Sequence, residues 1–200
     1  MNYPDRKSKA LPTGPVGVIT AVCTSESKGT RKINVGSASF IAGHGIKGDA
    51  HAGPWHRQIS LLAEESIEEA KAKGLNVKPG DFAENLTTKG MNLVSLPIGT
   101  RLLAGDEVLM EVTQIGKKCH TKCEIFRLTG DCVMPREGIF ARVIIGGQVN
   151  SGDQIRLDTS NRIAIITVSD KASKGLREDT SACEIRELIG HIGPVVSYSV

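Results

Sequence analysis

Three of the five cysteines fall in one short basic stretch, Lys117-Lys-Cys-His-Thr-Lys-Cys123 followed by Cys132. A thiolate is the reactive form of cysteine, and neighbouring cations lower the thiol pKa. Cys119 has Lys117, Lys118, His120 and Lys122 beside it in sequence, a setting that suits a nucleophilic or sulfur-carrying thiol. The spacing Cys-x3-Cys-x8-Cys also admits a structural zinc site, but it lacks the paired Cys-x2-Cys knuckles usual for zinc, and a lysine-rich field opposes a dication. Inert packing is the third reading. On residue types alone all three stay open, with Cys119, Cys123 and Cys132 as the candidate thiols.

A second constellation lies upstream. Gly48-Asp-Ala-His-Ala-Gly53 precedes His56-Arg-Gln58. His51, His56 and Arg57 on a glycine-rich loop suit an oxyanion, held by the guanidinium and by backbone N–H groups that the glycines leave accessible. A surface loop with incidental histidines is the competing reading. Asn85, in Gly80-Asp-Phe-Ala-Glu-Asn-Leu86, is a further polar candidate, as much a turn cap as a ligand contact. Lys117, Lys118, Arg136 and Arg142 complete the set of candidate anion donors. The chain has no Gly-x4-Gly-Lys-Ser/Thr phosphate loop, no Gly-x-Ser-x-Gly elbow and no His-Glu-x2-His helix, so the chemistries those motifs carry drop out.

These residues need elements to position them. Val16 to Val22 is a β-branched run consistent with a strand, and Thr24 to Lys32 reads as a polar loop. Residues 42–53 are too rich in glycine for a regular element. Gln58–Leu62 reads as a short strand leading into a helix over Ala63–Lys73, with acids early, lysines late and Gly74 as the stop. Arg101–Leu103 and Leu109–Thr113 about a Gly105-Asp106 turn predict a hairpin. Phe140–Ile145, Gln148–Val149 and Gln154–Leu157 fit further strands. Short strands with one good helix predict a mainly β fold, a mostly antiparallel barrel or sandwich with small helices.

The pattern changes after Asp158. Arg162–Val168 is a continuous apolar run, the signature of a strand buried on both faces. Ser181-Ala-Cys-Glu184 reads as a capping box opening a helix, and Val195–Val200 as a second strand. That βαβ unit cannot cover both faces of its own sheet, so residues 162–200 read as the opening of an incomplete α/β domain. Residues 1–13 read as a flexible lead-in and residues 14–158 as the main domain.

Two hundred residues suffice for one domain with a substantial core. With 40% apolar and 24% charged residues, the composition is that of a folded globular chain. No apolar run approaches the ~20 residues that span a bilayer, and no secretory signal stands at the N-terminus. These features point to a cytoplasmic protein with no membrane partner. An odd cysteine count argues against a disulfide scaffold, and Cys23 and Cys183 read as packing residues. The net charge is +3, and seven aromatics (Trp 1, Tyr 2, Phe 4) are too few for interleaved base-stacking platforms. No nucleic-acid partner is expected.

In order along the chain, Gly45-Ile-Lys-Gly-Asp-Ala-His-Ala-Gly53, His56-Arg-Gln-Ile-Ser60, Gly80-Asp-Phe-Ala-Glu-Asn-Leu86, Val112-Thr-Gln114 and the Cys119–Gly138 stretch resemble the MOSC domain. This is the sulfur-carrier module named after the C-terminal part of molybdenum cofactor sulfurases, here of the small bacterial type. The resemblance implies a β-barrel-like fold and a cysteine that carries sulfur as a persulfide or meets molybdenum directly. Cys119 matches that cysteine best, with Cys123 and Cys132 as alternatives. It further implies the molybdenum cofactor (molybdopterin), molybdate or tungstate as ligand. A separate pyridoxal-phosphate cysteine desulfurase would donate the sulfur, and a molybdoenzyme or cofactor-biosynthesis protein would accept it. A binding module for the pterin phosphate or the oxyanion, without chemistry of its own, is the alternative. Arg162-Ile-Ala-Ile-Ile-Thr-Val-Ser-Asp-Lys-Ala-Ser-Lys-Gly175 is similar to the start of the molybdopterin-binding domain of cofactor-biosynthesis adenylyltransferases.

Overall fold

The computed structural model describes residues 16–118, 126, 132–158, 163–176, 178, 180–189 and 195–199. The candidate thiols Cys119 and Cys123 and the lead-in 1–13 lie outside the described residues.

Seven strands close into a barrel. They are β1 (Val16–Thr24), β5 (Ile59–Ala63), β6 (Leu86–Lys89), β7 (Arg101–Ala104), β8 (Val108–Ile115), β9 (Ile139–Ile145) and β11 (Gln154–Leu157). Their order is β11-β7-β8-β9-β5-β6-β1, and pairing of β11 with β1 completes the ring. Closure removes the exposed edges that an open sheet would leave. Every pairing in the ring is antiparallel except β5 with β6. A short β2 (Ile33–Asn34) extends β1 at Cys23 and Thr24. Beside the barrel, β10 (Gly147–Asn150), β3 (Ser37–Ile41) and β4 (Gly45–Ile46) form a three-stranded sheet. The sequence had predicted a mainly β barrel or sandwich with small helices; the structure is the barrel.

Strand alternation divides the apolar residues between two clusters. Each barrel strand sends at least one side chain inward: Ile19, Leu61, Leu86, Leu102, Met110, Val143 and Ile155 pack together there. On the outer side Leu62 and Phe140 join Ile67, Phe82, Cys132 and Met134 in a second cluster, which also takes in the buried face of helix α1 (Glu64–Ala72). That helix carries Glu64 and Glu65 in its first turn and Lys71 in its last, complementing the helix dipole. It ends at Lys73 before Gly74, close to the expected Ala63–Lys73.

Beyond the barrel, β12 (Ile163–Ile166) and β13 (Val195–Ser199) pair in parallel, with the short helix α3 (Asp170–Ser173) and α4 (Thr180–Ile189) between them in sequence. Three expectations are corrected here. The strand is not buried on both faces: Ile165 is buried but Ile166, on the opposite face by strand alternation, is 73% exposed, so no layer among the described residues covers that face. Helix α4 already includes Thr180 and Ser181, so Ser181 sits inside the first turn rather than capping it. Cys183 on that helix is exposed, not packed. The glycine-rich stretch also holds a short strand, β4, which borrows its partners from Phe40 and Ile41 of β3. Among the described residues, no helix is long and apolar enough to cross a membrane.

Candidate functional site

A cleft of about 220 Å³ opens beside the barrel. It is lined by Lys28, His51, Trp55, Arg57, Ser60, Ala83, Asn85, Lys117, Met134 and Phe140. These residues come from the β1–β2 loop, the glycine-rich loop, the start of β5, the loop before β6, the end of β8, the short helix α2 (Met134–Glu137) and β9. The glycine-rich loop and the approach to the cysteine segment therefore meet at one cavity.

Buried polar residues pin the loops that form it. Gln58 bridges the glycine-rich loop to the barrel: its Nε2 donates to the Gly53 carbonyl (3.1 Å) and its Oε1 accepts from the Val143 N–H (2.9 Å). Trp55 is held by its indole N–H, which donates to the His51 carbonyl at 2.7 Å. Asn85 is buried and both its Oδ1 and its Nδ2 are hydrogen-bonded. Its Oδ1 accepts from the Ser60 N–H (3.1 Å) and hydroxyl (3.0 Å), and its Nδ2 donates to the Cys23 carbonyl (3.1 Å). Asn85 thus lines the cleft as a clamp between β5 and β1. Next to it Ala83 adopts φ +64, a left-handed conformation that costs a non-glycine residue of order 1 kcal/mol.

Lys117 is delivered by a tight turn. Gly116 has φ +63, and a Cβ there would come within 2.4 Å of the Pro135 carbonyl oxygen. The Gly116 N–H donates to Gly138 and the Gln114 side chain donates to the Gly116 carbonyl. The residue before Lys117 is therefore glycine for a steric reason.

The cleft is strongly cationic. Lys28, Arg57 and Lys117 face it with no carboxylate among the lining residues. Arg57 carries its guanidinium carbon 4.9 Å from the Trp55 ring centre and 5.7 Å from that of Phe140, while Lys28 Nζ sits 5.7 Å from the Trp55 centre. Aromatic faces orient both cations without neutralising them. The Arg57 Nε is buried with no hydrogen-bond partner among the described residues. A buried donor left unpaired is costly, and a bound anion would supply what is missing.

Behind the cleft lies a second layer of buried charge. Lys32 and Asp49 form an ion pair whose side chains are fully buried. Asp49 also accepts from the Ser25 and His51 backbone N–H groups, each at 3.0 Å. Burial pushes the Asp49 carboxyl up, but His51 and the charge and hydrogen bond of Lys32 outweigh it and hold it well below the usual carboxylate range. Burial pulls Lys32 below the usual lysine range, with Asp49 opposing. Glu84, wholly buried, is pushed up to about 7 by burial despite hydrogen bonds from Gly80, Phe82 and Thr87. Cys23 is pushed up to about 12, mainly by burial and then by Glu84, which keeps it a protonated packing thiol. Gly80 fits here because a Cβ would lie 2.3 Å from the Lys32 carbonyl oxygen.

Of the residues singled out from sequence, the cleft brings together His51, Arg57, Asn85 and Lys117. His56 is exposed and turns to Gln114 (Nε2 to Oε1, 3.0 Å). Lys118 and Arg136 are exposed and do not line the cleft. Arg142 occupies the outward position of β9 and pairs with Glu111 at 2.8 Å. Cys132 is buried in the outer cluster with Met134 and Phe140. Sequence reasoning missed Lys28, Trp55 and Phe140. Trp55 carried a signal, being the single tryptophan and lying between His51 and Arg57. Lys28 and Phe140 reach the cleft through long-range pairing and carried none. Among the described residues no group of three His, Cys, Asp or Glu side chains is placed to hold a metal ion.

Comparison with known proteins follows the same outline. Residues 48–156 match the family model described as the MOSC domain. No curated protein matches the chain. Among solved structures, the YuaD protein of Bacillus subtilis aligns with TM-score 0.62 at 20% identity, over 74% of this chain and 98% of that one. YiiM of Geobacillus stearothermophilus aligns with TM-score 0.54 at 18% identity, over 71% and 75%. YiiM of Escherichia coli aligns with TM-score 0.51 at 21% identity, over 90% and 85%. These three likenesses establish the fold.

Proposed function

The chain belongs to the MOSC domain family, related to the C-terminal domain of molybdenum cofactor sulfurases, and from that premise we propose that its cleft holds an oxyanionic group of molybdenum-cofactor chemistry. The group is the phosphate of the pterin or a molybdate or tungstate ion. One observation carries this reading: Arg57 is fixed between two aromatic rings with a buried Nε that no described residue satisfies. Arg57, Lys28 and Lys117 would hold the anion, and His51 would contribute a ring nitrogen. Their donor-rich, carboxylate-free lining fits an anion and repels a free cation. These residues bind, orient and neutralise; when bound, the metal centre supplies the acceptor for sulfur.

Sulfur carriage by Cys119 is the second reading. Its support is the place of Lys117 in the cleft, two residues ahead of Cys119 in sequence. The Cys119 thiolate would attack the outer sulfur of a persulfide on the desulfurase, forming one S–S bond as the donor's S–S bond breaks and the donor thiolate leaves. A thiolate of the acceptor would then attack that outer sulfur, forming a persulfide on the acceptor, breaking the S–S bond to Cys119 and releasing its thiolate. A pyridoxal-phosphate cysteine desulfurase as donor and a molybdoenzyme or cofactor-biosynthesis protein as acceptor follow from this reading. The C-terminal βαβ unit is proposed, on its sequence likeness, as the start of a molybdopterin-binding-like segment.

Calorimetric titration with molybdate or tungstate tests the first reading: one ion per chain is expected, and no heat of binding would overturn it. Mass spectrometry after incubation with a desulfurase and cysteine tests the second. A gain of one sulfur atom that Cys119→Ser abolishes is expected; an unchanged mass would overturn it.

A further inference from the structure

Lys32 and Asp49 line no part of the cleft, yet they reach it through His51. Lys32 Nζ lies 3.3 Å from His51 Nδ1, whereas the nearest Asp49 oxygen, Oδ1, lies 3.6 Å from the same nitrogen. A lysine ammonium only donates. Its contact with Nδ1 is a hydrogen bond only if Nδ1 carries the lone pair, and a neutral imidazole then carries its proton on Nε2. Asp49 is meanwhile occupied by Lys32 Nζ and by two backbone N–H groups; at 3.6 Å its Oδ1 is beyond hydrogen-bond distance of the ring, so the hydrogen bond that His51 gives Asp49 is the one from its backbone N–H. The Nε2 edge has no partner among the described residues, and His51 lines the cleft.

We infer that Lys32 and Asp49 are positioning residues: the pair holds His51 as the Nε2–H tautomer, so that the cleft offers an anion hydrogen-bond donors only. This rests on the anion-binding reading and sharpens its ligand class. The other polar groups of the lining agree with it. Asn85 Oδ1 and the Ser60 hydroxyl, the acceptors at hand, are engaged with each other and with the backbone, and Trp55 spends its N–H on His51. A ligand oxygen that bears a proton finds no acceptor among these side chains. The favoured ligand is therefore a tetrahedral oxyanion without protons, with molybdate preferred over a protonated phosphate.

The tautomer is read directly from the His51 ring ¹⁵N shifts, which need no anion. The wild-type chain is expected to show Nε2 protonated and Nδ1 bare. Lys32→Met paired with Asp49→Asn removes both buried charges together, so neither is left uncompensated, and should return His51 to a tautomer mixture. If that variant does not fold, the wild-type shifts alone decide. A wild-type ring protonated at Nδ1 would overturn the inference. Titrations at about pH 6 with molybdate and with inorganic phosphate test the ligand class, because molybdate carries no proton there and phosphate does. Molybdate should bind at least about tenfold more tightly, the order expected for one unmatched hydrogen bond; equal or tighter phosphate binding would overturn the donor-only cleft. Failure of both anions to bind, with Nε2 protonated, would instead overturn the anion-binding reading and leave the positioning role standing.

Discussion

Arg57 places its guanidinium carbon 4.9 Å from the centre of the Trp55 ring and makes no ion pair with any described residue. Other well-placed cations of this barrel are matched: Lys32 has Asp49, Arg142 has Glu111 and Arg31 has Asp81. An arginine stacked on a ring but left without a carboxylate is oriented for something the chain does not itself provide. That contrast separates a ligand-binding cation from a structural one, and the tests below build outward from it.

Asn85 should matter to stability before it matters to binding. Asn85→Ala removes side-chain hydrogen bonds to Ser60 and Cys23 and strands buried backbone groups. A loss of about 2–4 kcal/mol is expected in denaturant unfolding, since each unsatisfied buried group costs ~1–3 kcal/mol. A change under about 0.5 kcal/mol would show that the clamp is dispensable.

Glu84 imposes a pH dependence of known sign. Its folded pKa, raised to about 7 by burial from an ordinary 4.5, means that the folded state holds the proton more tightly than the unfolded one. Stability from this group is complete below about pH 4.5 and is lost as pH rises towards about 7, by roughly 3 kcal/mol. Asp49, depressed by its partners, acts in the opposite sense and only in more acid solution. Unfolding free energies measured from pH 5 to 7.5 should therefore fall more steeply in the wild type than in Glu84→Gln. Parallel curves would refute the assignment.

Alkylation should sort the described cysteines. Cys23 and Cys132 are buried and Cys183 is exposed, and the thiol of Cys23 is pushed up to about 12. Peptide mapping after iodoacetamide treatment at pH 8 should find Cys183 modified while Cys23 and Cys132 stay protected in the native state. Rapid labelling of Cys23 would contradict the buried wall behind the cleft.

The buried members of both apolar clusters fall between Ile19 and Ile155. Ending the chain after Asp158 should consequently cost less than about 1 kcal/mol of the ~5–15 typical of a domain. A loss of several kcal/mol in urea unfolding would show that residues 163–199 brace the barrel.

Much of the scaffold was legible in the sequence because its signals are local. The hairpin of β7 and β8 announced itself through apolar strands about a Gly-Asp turn, and α1 through its charge order and Gly74. Strand β6 was not read, since Leu-Thr-Thr-Lys looks polar although Thr87 and Thr88 are wholly buried; pairing with β5 on one side and β1 on the other, not its own pattern, makes it a strand. Strand β3 was missed likewise, because its longer pairing is with β10, more than a hundred residues away, and its near partner β4 is only two residues long. For the site, Arg57 and His51 were found from residue type. In Phe140-Ala-Arg-Val143, alternation sets Arg142 on the outer face with the cleft residue Phe140; what takes it out of the cleft is its pairing with Glu111 of β8, which its own pattern does not show. What one sequence could not show was that Lys28 and Phe140 come to the same cleft from positions 112 residues apart.

Trp55 is the single tryptophan of the chain and lies in the cleft against Arg57 and Lys28, so its fluorescence reports on this cavity alone. Titrating molybdate into the protein while following that emission tests the anion-binding cleft most directly. The expected result is a saturable change in the wild type, weakened by about 1.5–3 kcal/mol in Arg57→Ala and unaltered in Arg31→Ala, whose arginine is paired with Asp81 outside the cleft. Emission that does not respond to molybdate, or that responds equally in wild type and Arg57→Ala, would contradict it.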